Sequence, residues 1–209
     1  MVHIYYHIYA VNGVDSIVNE QIELITKHFQ FPYNLNIGIS IGDDNYSISY
    51  LFEKFSNIRD VRVRGNEFVT LDLIEKDKEK FGDSDYILYL HTKGASKQSN
   101  QNVIDWRHLM NYFNIEKVTN VFKIFEKTDF NTYGVLLGKA GKWTIYSGNF
   151  WWMRGDYAKT IKIEKNKQNR FNAEVDYIQN GINWKPYSPY NREGENHYLI
   201  EFKREEYAK

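Results

Sequence analysis

The sequence contains no cysteine. That removes disulfide frameworks, thiolate zinc sites, iron–sulfur clusters and cysteine nucleophiles. It has no surplus of either charge, since 27 Lys and Arg balance 27 Asp and Glu. A zero net charge argues against a nucleic-acid partner held by field attraction. Only 3 prolines and 13 glycines occur, which excludes collagen-like and low-complexity material. No stretch approaches the roughly 20 apolar residues of a membrane span. The start, Met1-Val2-His3-Ile4-Tyr5, lacks the basic region and apolar core of a secretory signal. The expectation is a soluble, cytoplasmic chain with no integral membrane segment.

What remains is an ordinary folded composition with one bias. Its 209 residues suffice for a single domain with a sizeable core. Aromatic residues make up 17 %, with 17 Tyr, 13 Phe and 5 Trp. Most belong in a core, and a minority suit the stacking of flat or cyclic ligands.

Periodicity alternates between strand and helix over the first 90 residues. His3 to Ala10 alternates like a strand and ends at Asn12-Gly13. Asp15 or Ser16 is placed to cap a helix carrying Val18, Ile22, Ile25 and Phe29. Asn36 to Ile41 and Val61 to Arg64 read as strands, with a helix marked by Ile48, Leu51, Phe52 and Phe55 between them. Asn66 is placed to cap a helix running towards Lys80. Tyr86 to Leu90 is a near-continuous apolar run, which suits a central strand buried on both faces. Thr92 to Gln101 is a loop, followed by a long helical stretch that breaks near Thr128–Asn131. Tyr133 to Leu137 and Thr144 to Met153 read as two further strands, Ala173 to Ile178 as a helix, and Trp184 to Asn191 as irregular chain. The class is α/β: a central, mostly parallel, mixed sheet with helices on both faces.

In open α/β sheets, ligands sit beyond the carboxyl ends of the strands. Those positions hold Tyr9, Ala10, Val11 and Asn12 after the first strand, and Arg64, Gly65, Asn66 and Glu67 after the third. After the central strand come His91, Thr92, Lys93 and Gly94. An ammonium, a hydroxyl and the backbone N–H groups at a glycine are a donor set for phosphate oxygens. Neither G-x-G-x-x-G nor a Walker pattern is present. Asp83-Ser84-Asp85 precedes the central strand, and five strand residues carry it about 17 Å from the exit.

The segment Tyr86-Ile87-Leu88-Tyr89-Leu90-His91-Thr92-Lys93-Gly94 resembles the strand-plus-HTKG signature of a group of nucleotide-sugar glycosyltransferases, relatives of rhamnan-synthesis proteins and of the capsid-glycan transferases of large DNA viruses. Arg64-Gly65-Asn66-Glu67, Trp106-Arg107, Ser147-Gly148-Asn149-Phe150-Trp151-Trp152 and Arg170-Phe171-Asn172-Ala173-Glu174 follow in the order of that group. The likeness covers residues 3 to 180. It implies a GT-A-like fold with a nucleotide-sugar half (about 1–100) and an acceptor half (about 101–209). It implies a UDP-sugar donor, a glycan or glycoprotein acceptor, and the cytoplasm of a bacterium or virus-infected cell. Tyr9, Ala10, Val11, Asn12, Arg64, Asn66, Glu67, His91, Thr92, Lys93 and Gly94 are then expected at the donor. GT-A enzymes normally carry an Asp-x-Asp at the central strand exit for Mn²⁺ or Mg²⁺. Here His91 and Lys93 stand in its place, so the expected cation falls to His91 and His197, with Asp83 and Asp85 as the alternative. The expected general base is Glu174, or its neighbour Asp176. Ser147, Gly148, Asn149 and Trp152 are expected at the acceptor. His3, His7, His28 and His108 read as structural.

Overall fold

A computed structural model describes residues 1–163, 170–192 and 194–208. The strands are β1 (Val2–Ala10), β2 (Tyr33–Ile41), β3 (Ile58–Val63), β4 (Tyr86–His91), β5 (Thr132–Gly134), β6 (Leu137–Ala140), β7 (Trp143–Tyr146), β8 (Trp151–Arg154) and β9 (Pro186–Tyr187). The helices are α1 (Val14–His28), α2 (Ser49–Lys54), α3 (Phe68–Asp77), α4 (Gln101–Asn111), α5 (Val118–Lys127), α6 (Gly155–Ala158), α7 (Arg170–Val175) and α8 (Arg204–Tyr207). A wide helical turn over Tyr112–Glu116 follows α4.

Seven strands form one sheet in the order β3-β2-β1-β4-β8-β5-β9. The first four run parallel, with β1 flanked by β2 and β4. Strand β8 pairs antiparallel with both β4 and β5, so the sheet is mixed. Strands from both halves of the chain therefore share one hydrogen-bonded layer. A separate hairpin joins β6 to β7.

The period of two along each strand divides the core. Ile4, Tyr6, Ile8, Leu88, Leu90 and Trp152 face α1, α2, α4 and α5. Tyr5, Ile87, Tyr89, Trp151 and Met153 face α3, α6 and α7. Burying both faces explains why Tyr86 to Leu90 reads as a continuous apolar run. Among the described residues no helix is long and apolar enough to cross a membrane.

The sequence-based expectations hold for the first half with small shifts. Helix α1 starts at Val14, directly after Gly13 in a left-handed conformation (φ 83°), and no side chain caps it. Ser16 instead donates back to the Gly13 carbonyl. At α3 the N-cap is Glu67 rather than the expected Asn66, and its side chain does not cap the helix; Asn66, one residue earlier, turns the chain into it, its Oδ1 accepting from Phe68 N–H at 2.9 Å. The two late strands expected at 133–137 and 144–153 are four shorter ones. Positive φ at Leu136, Gly148 and Asn149 breaks each run, because that backbone geometry cannot continue a strand.

Candidate functional site

Strand β1 continues to β2 on one side, while β4 lies on its other side, so the sheet order reverses between β1 and β4. Such a switch point opens a crevice beyond the carboxyl ends of the two strands. A cleft of about 280 Å³ lies there. His7 and Tyr9 of β1, His91 to Lys97 of the β4 exit, Gly65 to Glu67 of the β3 exit, Gly148, Glu174 and Tyr198 line it, together with Val103. The structure thus brings together nine of the expected residues: Tyr9, Asn66, Glu67, His91, Thr92, Lys93, Gly94, Gly148 and Glu174.

The two sides of the cleft differ in charge. Lys93 and Lys97 stand on the α4 side. The Lys93 ammonium lies 3.9 Å from the Trp106 ring centroid and 5.4 Å from that of Tyr198, and Lys97 lies 4.1 Å from Tyr198. Cation–π seating holds a lysine head in place without neutralising it. Glu67, at the start of α3, and Glu174, on α7, supply carboxylates from the opposite face of the sheet. Near both, the Tyr89 hydroxyl is fully buried and has no hydrogen-bond partner among the described residues. Burial pushes its pKa well up, and the charges of Glu67 and Glu174 add to the rise.

The Lys93–Gly94 turn is held from behind by a largely buried polar network. Arg107 is 5 % exposed. Its Nη1 donates to the Lys93 carbonyl at 3.1 Å, and its Nη2 and Nε donate to Glu20. Glu20 also accepts from Asn111, whose Oδ1 accepts from Gln21, and Gln21 donates to the His91 carbonyl. Burial alone raises the Glu20 pKa, but hydrogen bonds from His108 and Arg107, with the Arg107 charge, bring it down to about 2. Gly94 fits here because φ is +86° and a Cβ would lie 2.9 Å from Val103 and 3.3 Å from Arg107.

Several expected residues have other duties. The Thr92 hydroxyl accepts from Tyr9 N–H at 2.9 Å and extends the β1–β4 pairing. Ala10 is fully buried. The Asn12 amide donates to Asp43, and its carbonyl accepts from Gln98. Arg64 projects into solvent beside Asp44, and neither it, Val11 nor Asn12 lines the cleft. Asn149 is 3 % exposed, donating to the Ala173 carbonyl and accepting from Trp151 Nε1. Trp151 and Trp152 are both 0 % exposed, one in each half of the core, so the sheet leaves neither ring for stacking on an acceptor. Asp176 does not line the cleft.

The cation expectations meet a similar geometry. His91 Nε2 donates to the Gly148 carbonyl at 2.8 Å. His197 is used at both nitrogens: Nδ1 accepts from Ser147 at 2.8 Å and Nε2 donates to the Arg192 carbonyl at 3.3 Å. Its burial lowers its pKa. Asp83 pairs with Lys159, and Asp85 with the amino terminus and His3, at the far end of β4. Among the described residues no group of three or more His, Asp or Glu converges. His91 and His197 therefore do not fit a resident Mn²⁺ or Mg²⁺.

His7, expected to be structural, forms part of the cleft floor. Its Nδ1 bonds with Thr70 at 3.0 Å, and burial lowers its pKa to about 3, so it is neutral. Lys97, Tyr198, Glu20, Gln21 and Asn111 were not singled out by sequence pattern. Their roles arise from contacts across tens of residues. Compared with protein-family models, curated proteins and solved structures, the chain matches none of them.

Proposed function

We propose that the chain is a glycosyltransferase that moves a sugar from a nucleoside diphosphate sugar, UDP-linked, to a glycan acceptor. The observation that carries this reading is the charge-divided cleft at the sheet's switch point. A sugar nucleotide has the matching division, with an anionic diphosphate at one end and a neutral, hydroxyl-rich ring at the other. The resemblance of the Leu90–Gly94 segment to the HTKG group supports the same reading. Its expected setting is the cytoplasm of a bacterium or virus-infected cell.

In this proposal the nucleoside lies along the β1 exit at Tyr9. The diphosphate meets Lys93, Lys97 and the backbone N–H groups of the turn at Gly94. The acceptor oxygen attacks the anomeric carbon, the bond to the phosphate oxygen breaks, and its electron pair leaves with the diphosphate. Glu174 takes the acceptor's proton. Lys93 stabilises the charge that develops on the leaving group. Glu67 accepts hydrogen bonds from donor-sugar hydroxyls. No step is routed through a metal.

Calorimetric titration of UDP, UDP-sugars and ADP, each with and without Mn²⁺, tests the donor half. Saturable UDP binding with a preference for the uracil nucleotide is expected. Equal, salt-sensitive binding of unrelated polyanions refutes it. Release of UDP in the presence of glycan acceptors tests transfer. A second reading, a sugar-nucleotide-binding domain without transfer, is favoured by the placement of Asp83 and Asp85 at the wrong end of β4. It predicts the same binding and no UDP release.

A further inference from the structure

Beside the cleft, two aromatic rings meet almost at a right angle. Phe171 and Trp143 have centroids 5.0 Å apart and an interplanar angle of 78°. Phe171 is 52 % exposed, and Trp143 is half-buried on the β6–β7 hairpin. The Lys142 ammonium lies 4.7 Å from the Trp143 centroid. On α7, Phe171 and Glu174 are three residues apart and so share one face, while Ala173 points into the core. The aromatic corner is therefore continuous, through Glu174, with the cleft that Glu174 lines.

We infer that Trp143 and Phe171 form a subsite for a neutral pyranose ring of a glycan acceptor, next to Glu174. The argument rests on the glycosyltransferase reading for the word acceptor, but the sugar subsite itself stands or falls separately. A pyranose presents an apolar face of C–H groups and an equatorial rim of hydroxyls. A corner of two ring planes takes the face on one plane and closes on the edge with the other. An ammonium at the rim donates to hydroxyls that point outward.

Saturation-transfer NMR with maltotetraose, cellotetraose, chitotetraose and xylotetraose tests the subsite without any donor. At least one is expected to bind at millimolar concentration, with Kd raised tenfold or more in Phe171→Ser and in Trp143→Ala. Phe171 is exposed, so its variant keeps the fold. Phe52→Ser is the matched control, since Phe52 is 53 % exposed on α2, across the sheet from α7, and it should leave Kd unchanged. Four negative sugars, or binding indifferent to both substitutions, overturn the inference. So does a dimer that Phe171→Ser dissolves in a chain that binds no sugar. Sugar binding lost with Phe171 in a protein that ignores UDP retains the subsite and overturns the proposed function instead.

Discussion

Replacing Lys93 by Ala separates a phosphate contact from a structural one, because the structure gives each a size. Over Trp106, itself 3 % exposed, the ammonium makes a cation–π contact at 3.9 Å. Such contacts contribute about 0.5–2 kcal/mol, increasing with desolvation. Lys93 is only half-buried, so a loss of about 1 kcal/mol in stability is expected, or about 2–4 °C in Tm for a chain of this size. A charge-assisted hydrogen bond to diphosphate contributes about 1.5–3 kcal/mol, which is roughly 10–150-fold in Kd. An ammonium has three N–H donors, so meeting a phosphate does not require leaving the ring. Thermal melts and UDP titrations of wild type, Lys93→Ala and Lys93→Met read both terms. Lys93→Met keeps most of the stem over the ring and recovers part of the Tm but none of the affinity. Lys97→Ala should cost less affinity, as Lys97 is more exposed than Lys93. A lowered Tm with unchanged UDP affinity shows that Lys93 serves the fold, and the phosphate assignment is then wrong.

Glu174→Gln should leave UDP affinity intact and lower transfer about 10²–10⁴-fold. Asp176→Asn, outside the cleft, should leave transfer intact, and the reverse pattern moves the base to Asp176. Gly148→Ala should destabilise the protein by about 1–3 kcal/mol or more. Its φ is +93°, and a Cβ would stand 2.3 Å from Met110 Sδ; a denaturant midpoint unchanged from wild type contradicts that packing. Stability should also fall in mild acid through His7. Its folded pKa of about 3 lies below the ordinary 6.5, so between those values the unfolded chain binds the extra proton. The contribution is fully present above about 6.5 and is lost progressively as pH falls towards 3. His7→Gln should flatten that part of the stability–pH curve, and an unchanged slope refutes a neutral His7.

The cleft was legible where its residues follow from strand polarity. Parallel β1, β3 and β4 put Tyr9, Asn66, Glu67 and the His91–Gly94 turn at one edge without knowledge of any contact. The same rule placed Asp83 and Asp85 at the other end, where they lie. Legibility ended where backbone sign or distant chain decides. A Trp-Trp pair on a strand points to both faces, but the pattern alone does not show that β8 lies between β4 and β5 with both faces covered. Asn149 looked like a ligand for hydroxyls because it is polar beside glycine. In the structure its positive φ turns the amide inward, to the Ala173 carbonyl and Trp151. Tyr198 reaches the cleft from the end of the chain, and no local periodicity announces it.

The network behind the Lys93–Gly94 turn gives a physical reason for the partly buried Arg107–Glu20 pair. A buried ion pair is weak evidence of stability, because desolvation offsets much of the attraction. Apolar residues of like volume at Glu20, Arg107 and Asn111 would fill the same space. They would not bond the Lys93 carbonyl, and Gln21 would lose its Asn111 partner while holding that of His91. Those two carbonyls bracket the residues that leave the sheet and enter the cleft. Bonding them fixes the direction in which Lys93 departs, and so the place of its ammonium over Trp106. A site that meets developing charge works best when its cations are already in position, since no reorganisation is then needed as the charge appears. In the proposed reaction the polar network therefore serves the cleft as much as the core, even though none of Glu20, Gln21, Arg107 and Asn111 lines it.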